Sequence, residues 1–145
     1  MTGVGQRGKS QNPKIVWWRC APAFFGAAGT VAALDTNYVL INQSHPAVRG
    51  QDVQLFVNGL GPVTNQPPSG DPAAADGNPL CKTTKTVTVT IGGQTVTADF
   101  SGLAPGFAGL YQVNFKVPTS LSAGNQPITM TVGGVTSQAS AMWVQ

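Results

Sequence analysis

Glutamate is absent from this 145-residue chain, and its five acidic residues are all Asp. Charged residues make up only 9% of the sequence. Glu and Lys commonly fill exposed helical faces, so their scarcity argues against a helical fold. Histidine occurs once, as His45 in a polar loop before Pro46. One His cannot form a two-His metal site, and no Gly-x-Ser-x-Gly elbow offers a nucleophilic serine. Metal-dependent and Ser–His catalysis are therefore disfavoured, and His45 reads as a surface-loop residue. The two cysteines form no Cys-x-x-Cys pair and no Cys/His cluster, which argues against zinc. No metal and no cofactor is implied. Long apolar runs are also missing. Arg19, Pro22 and Gly26 interrupt the stretch 15–34, which fits neither a signal peptide nor a membrane-spanning helix.

The formal charge of +3 is unevenly placed. Arg7, Lys9, Lys14 and Arg19 lie in a leading segment that has no acid, whereas the rest is close to neutral. A nucleic-acid surface needs Lys and Arg clustered on the folded body, so nucleic acid is not an expected partner. Residues 1–20 read as a basic leader or tail, and residues 21–145 as one domain. Cys20 and Cys81 permit a single disulfide between the two parts. Closing its loop of about 60 residues contributes about 4 kcal/mol in the chain-entropy model. Two unpaired thiols are the alternative.

What is present is strand chemistry. Tyr111, Val113, Phe115 and Val117 alternate with Gln112, Asn114 and Lys116, the period of a half-buried strand that Pro118 ends. Val53, Leu55 and Val57 alternate with Gln54, Phe56 and Asn58 in the same way. Thr86-Val-Thr-Val-Thr-Ile91, Gly92-Gly93 and Gln94 to Phe100 read as a hairpin, with Val96, Ala98 and Phe100 inward. A second hairpin turns at Gly133-Gly134. Residues 30–34 and 38–41 pair across the turn at Asp35-Thr-Asn37. Residues 63–85 form a long irregular loop, and loops of that length are often functional. Residues 102–109 read as a loop crossing between sheets, pinned by Leu103 and Phe107. The expected architecture is all-β, an immunoglobulin-like sandwich of two antiparallel sheets with about seven to nine strands.

Val57-Asn-Gly-Leu-Gly-Pro-Val63, Thr88-Val-Thr-Ile-Gly-Gly93, the run from Gly102 to Asn114, Val117-Pro118, Ala123-Gly124-Asn125 and Val132-Gly-Gly134 resemble the Solibacter-type C-terminal domain. The resemblance covers the chain from about Ala21 onward. It implies an immunoglobulin or IPT/TIG-like sandwich at the end of a large secreted acidobacterial protein. Because the family domain is usually longer on the amino-terminal side, it also implies a truncated fragment. Export or cell-surface location and an accessory role follow from it, but no catalytic motif does.

Two Asp carboxyls flanking a sugar bond would suffice for glycoside hydrolysis. Asp71 and Asp76 in the long loop and Asp99 near a strand end are the candidates, although Asp is also the common residue of turns. Calcium binding by Asp71, Asp76 and Asn78 lacks an EF-hand pattern, and a solvated loop is favoured. Among the aromatics, Trp17, Trp18, Tyr38 and Trp143 are candidates for a platform on which sugar rings stack. For Trp143, on one face with Ala141, core burial is favoured; for Tyr111 and Phe100 it is expected. Thr86, Thr88, Thr90, Thr95 and Thr97 form an outward, solvated face. The chain is thus expected to be a non-catalytic accessory module contacting a polysaccharide or protein surface. A small glycoside hydrolase and a structural spacer are the competing readings.

Overall fold

β-Branched residues at every second position draw the strands into two facing sheets whose inward side chains interdigitate. The computed structural model describes residues 21–27, 29–68 and 71–145. Their strands are β1 (Ala23–Phe24), β2 (Gly26–Ala27), β3 (Thr30–Val31), β4 (Ala33–Leu34), β5 (Asp52–Asn58) and β6 (Val87–Ile91). After these come β7 (Gln94–Thr97), β8 (Phe100–Leu103), β9 (Tyr111–Lys116), β10 (Gly124–Val132), β11 (Val135–Thr136) and β12 (Ser140–Val144). The described residues contain no helix. One sheet runs β1-β5-β9-β8, with β4 also on β5, and the other runs β2-β3-β12-β10-β6-β7, with β11 on β10. The protein is an all-β, immunoglobulin-like sandwich. Among the described residues, pairing is antiparallel apart from the parallel contact of β3 with β12 at Thr30–Ala141 and the isolated Ala47–Val144 and Ala73–Pro105 bridges.

The core lies between the sheets. Val53, Leu55, Val57, Val113 and Phe115 face Val87, Val89, Ile91, Ile128, Met130, Val132, Met142 and Val144, all at most 2% exposed. Deleting a large side chain from such packing loses its transfer energy and leaves a cavity. A smaller cluster of Val63, Ala73, Cys81 and Leu103 anchors the long loop, and Tyr111 packs against both clusters. Both Gly-Gly hairpins form. Gly92 and Gly93 (φ 56° and 83°), like Gly133 and Gly134 (58° and 79°), supply the two positive φ angles that a two-residue hairpin turn of this hand needs.

Four expectations need correction. The chain changes sheets at Ala98–Asp99: the Ala98 N–H donates to Val87 in one sheet and the Asp99 N–H to Asn114 in the other. The alternation inferred for residues 94–100 therefore breaks, and Phe100 leaves the core to pair with outward Asn114. Residues 104–110 do not cross between sheets. They close a hairpin between β8 and β9, in which Ala104 N–H donates to the Leu110 carbonyl. Leu103 is buried there, but Phe107 is 58% exposed. On β12 the buried face is Met142 and Val144, so Trp143 is half-buried on the outer side of its sheet rather than in the core. Residues 30–34, expected as one strand, split at Ala32 into β3 and β4, one in each sheet.

Candidate functional site

The outward face of the β5–β9–β8 sheet carries a groove. Strand alternation puts Asp52, Gln54 and Phe56 of β5 outward, and Gln112, Asn114 and Lys116 of β9 beside them. The register pairs Phe56 with Gln112, Gln54 with Asn114, and Asp52 with Lys116. Leu34 and Phe100 extend the middle rung on either side. Gln112 Nε2 donates to Asn114 Oδ1 at 2.9 Å, which fixes the two amides relative to each other.

At one end the groove is apolar. Leu34, Tyr38, Phe56, Ala104, Pro105, Phe107 and Leu110, with Gln54 and Gln112, enclose about 410 Å³. Its walls are the turn after β4 and the hairpin loop before β9. The loop wall is held from behind, where Gly106 N–H donates to the Ala73 carbonyl of the long loop. At the other end, Thr36, Asp52, Gln54, Asp99 and Asn114 line about 250 Å³. Gln54 belongs to both ends, so the two form one surface that grades from apolar to acidic.

The Tyr38 wall is built by its neighbours. Asp35 Oδ1 accepts the Asn37 and Val39 N–H groups at 2.8 and 2.9 Å, an Asx-type turn. Asp35 Oδ2 lies 2.6 Å from His45 Nε2. The hydrogen bond from His45, then that from Val39, holds the Asp35 carboxyl below its ordinary 3.8. Within this turn Tyr38 has φ 62°, and its side chain is left exposed, with 71% of the residue open to solvent. The left-handed conformation is costly for a bulky residue, by about 1–3 kcal/mol.

Of the three carboxylates proposed from sequence, only Asp99 is part of this groove, and its partner there is Asp52. The sheet change at Ala98–Asp99 is what puts Asp99 on the groove. Asp71 and Asp76 are exposed elsewhere on the long loop, where Asp76 Oδ1 accepts the Asn78 N–H at 3.0 Å. Asp52 is also paired with Lys116 Nζ at 3.5 Å, both side chains being exposed. Asp99 also lines a second groove, which it shares with Lys82, Lys85 and Thr97. Trp143 lies on the other sheet, and Trp17, Trp18 and Cys20 lie outside the described residues. Cys81 is a buried free thiol that donates to the Asn65 carbonyl. Among the described residues, no three His, Cys, Asp or Glu side chains gather as a metal site, and no helix is long and apolar enough to cross a membrane.

Sequence reasoning did not single out Phe56, Phe107, Gln54, Gln112 or Asn114 as a site. One signal was available: Phe56 is an aromatic in the outward register of β5, between Gln54 and Asn58. No protein-family model, curated protein or solved structure matches this chain. The resemblance drawn above is therefore carried by its motifs alone.

Proposed function

We propose that the domain is a non-catalytic accessory module of an exported protein and contacts carbohydrate through the outer groove of the β5–β9–β8 sheet. The observation that carries this reading is Tyr38. A bulky aromatic residue is held in a left-handed conformation and left 71% exposed at the rim of an apolar groove. Strain of this kind is retained where the surrounding structure enforces it, often at binding sites. Tyr38, Phe56 and Phe107 offer ring faces to the apolar side of a sugar, and Gln54, Gln112 and Asn114 offer donors and acceptors to its hydroxyls. The accessory role and export implied by the resemblance agree with this chemistry.

Hydrolysis is a second reading, favoured by one observation: Asp52 and Asp99 share a groove. Both are exposed, however, and the groove does not enclose them as an acid–base pair is usually enclosed. The test is a glycan array probed with the full chain and with Phe107→Ala, alongside a reducing-sugar assay on every glycan that binds. Binding that Phe107→Ala abolishes, without sugar release, supports the accessory module. Sugar release that Asp99→Asn stops replaces it with the hydrolase. Binding unaffected by Phe107→Ala overturns the groove.

A further inference from the structure

We infer that Asn58 is a site of spontaneous self-modification: the Gly59 nitrogen attacks its side-chain amide, and the residue converts through a succinimide to aspartate and isoaspartate. Asn58-Gly59 is the only Asn-Gly pair in the sequence. Glycine lets the two groups approach because it has no Cβ to hinder the ring closure. Every other Asn precedes a residue that carries a Cβ, and Asn12 and Asn78 precede proline, which has no N–H to lose.

The fold keeps this pair reactive. Asn58 is the last residue of β5 and is exposed. Gly59 follows it outside the ladder, with φ 76°. Its N–H donates to Asn58 Oδ1 at 2.8 Å instead of to a neighbouring strand, so the nitrogen already sits against the amide that it attacks. Among the described residues no group bonds the Asn58 side-chain NH2, which faces water as the leaving group. Asp76-Gly77 is the contrast. There the glycine N–H is turned away and donates to the Ala74 carbonyl at 2.9 Å, and a carboxylate accepts a nucleophile far less readily than an amide does.

Water is the sole co-reactant. Hydroxide takes the Gly59 N–H proton, the bond from that nitrogen to Asn58 Cγ forms, and the Cγ–Nδ2 bond breaks with release of ammonia. Water then opens the ring. Opening at Cγ leaves aspartate and an unchanged main chain, whereas opening at the backbone carbonyl routes the chain through the side chain as isoaspartate. The second product lengthens the main chain between the Ala23–Asn58 rung and the Gly59 carbonyl that accepts the Ala21 N–H at 2.9 Å. That junction has no slack, since a Cβ on Gly59 would run into the Ala21 carbonyl oxygen. In the isoaspartate form β1 therefore loses its register on β5.

The experiment is peptide mass mapping of the folded full chain aged at mildly alkaline pH, beside the same chain unfolded in guanidinium chloride, with isoaspartate counted by enzymatic methyl transfer. Asn58 is expected to be the first Asn converted, at a rate within about tenfold of its rate in the unfolded chain. Asn58→Gln, whose longer side chain closes a larger and slower ring, should give no isoaspartate at that position. The mapping locates the reaction in the parent chain even where that variant fails to fold. In the isolated isoaspartate form, hydrogen exchange at the Ala21 amide should be at least about tenfold faster than in the parent. An Asn58 that stays intact in the folded chain while the unfolded chain reacts overturns the inference, as does earlier conversion of another Asn or of Asp76. Unchanged exchange at Ala21 overturns the loss of β1 register.

Discussion

His45 Nε2 and Asp35 Oδ2 lie 2.6 Å apart, and the other oxygen of the same carboxylate caps the Asn37 and Val39 N–H groups. Three hydrogen bonds thus converge on one side chain and hold the turn that presents Tyr38. The Asp35 carboxyl, lowered chiefly by the hydrogen bond from His45, stabilises the fold in its ionised form. A depressed folded value gives stability that is complete above the ordinary 3.8 and is lost as pH falls through the lower folded value. Asp35→Asn is therefore expected to reduce the urea midpoint at neutral pH. The difference from the parent should vanish under acid, as measured by fluorescence-detected unfolding at a series of pH values. In His45→Ala, an NMR titration of the Asp35 carboxyl should move toward the ordinary value.

Replacing Tyr38 by Gly separates stability from function. Glycine adopts φ 62° without the Cβ penalty, so Tyr38→Gly should leave stability unchanged or raise it by about 1 kcal/mol. Glycan binding should be lost in the same variant. Thermal unfolding and the glycan array together check the pair of outcomes, which a purely structural tyrosine would not give.

Phe115 is fully buried between the sheets. Phe115→Ala is expected to cost about 3–5 kcal/mol by chemical denaturation. Asp71→Asn, on the exposed loop, should stay within about 0.5 kcal/mol of the parent.

Gly102 on β8 lies against the backbone of residues 81 and 82, and a Cβ there would run into the Cys81 carbonyl oxygen. Because the obstacle is backbone, the long loop must move. Gly102→Ala should cost about 1–3 kcal/mol. It should also open the small cluster around Cys81, so the buried thiol reacts with an aromatic disulfide reagent faster than in the parent.

Strand alternation and Gly-Gly turns made most of the sandwich legible before any coordinates. Val53, Leu55, Val57, Val113 and Phe115 were assigned inward by period alone, and they are buried. The failures cluster where the chain changes sheets. At Ala98–Asp99 the outward and inward senses reset, which moved Phe100 out of the core and brought Asp99 beside Asp52. Alternation counts residues within one ladder and cannot register a change of ladder. Trp143 failed for a related reason. The face it shares with Ala141 was taken as the inner one, whereas the neighbouring Met142 and Val144 take that face. The groove was largely illegible because its members come from β4, β5, β9 and two loops, joined only by cross-strand register. Its one local trace was an aromatic, Phe56, in a polar register.

The central claim is that ligand binds on the outer face of β5 and β9. The most direct measurement is an NMR titration of the isotopically labelled full chain with a glycan selected on the array. The account predicts shifts concentrated at Leu34, Tyr38, Gln54, Phe56, Phe107 and Gln112, with the outward threonine face of β6 and β7 unchanged. Shifts centred on that threonine face or on Trp143, with the groove silent, would contradict it.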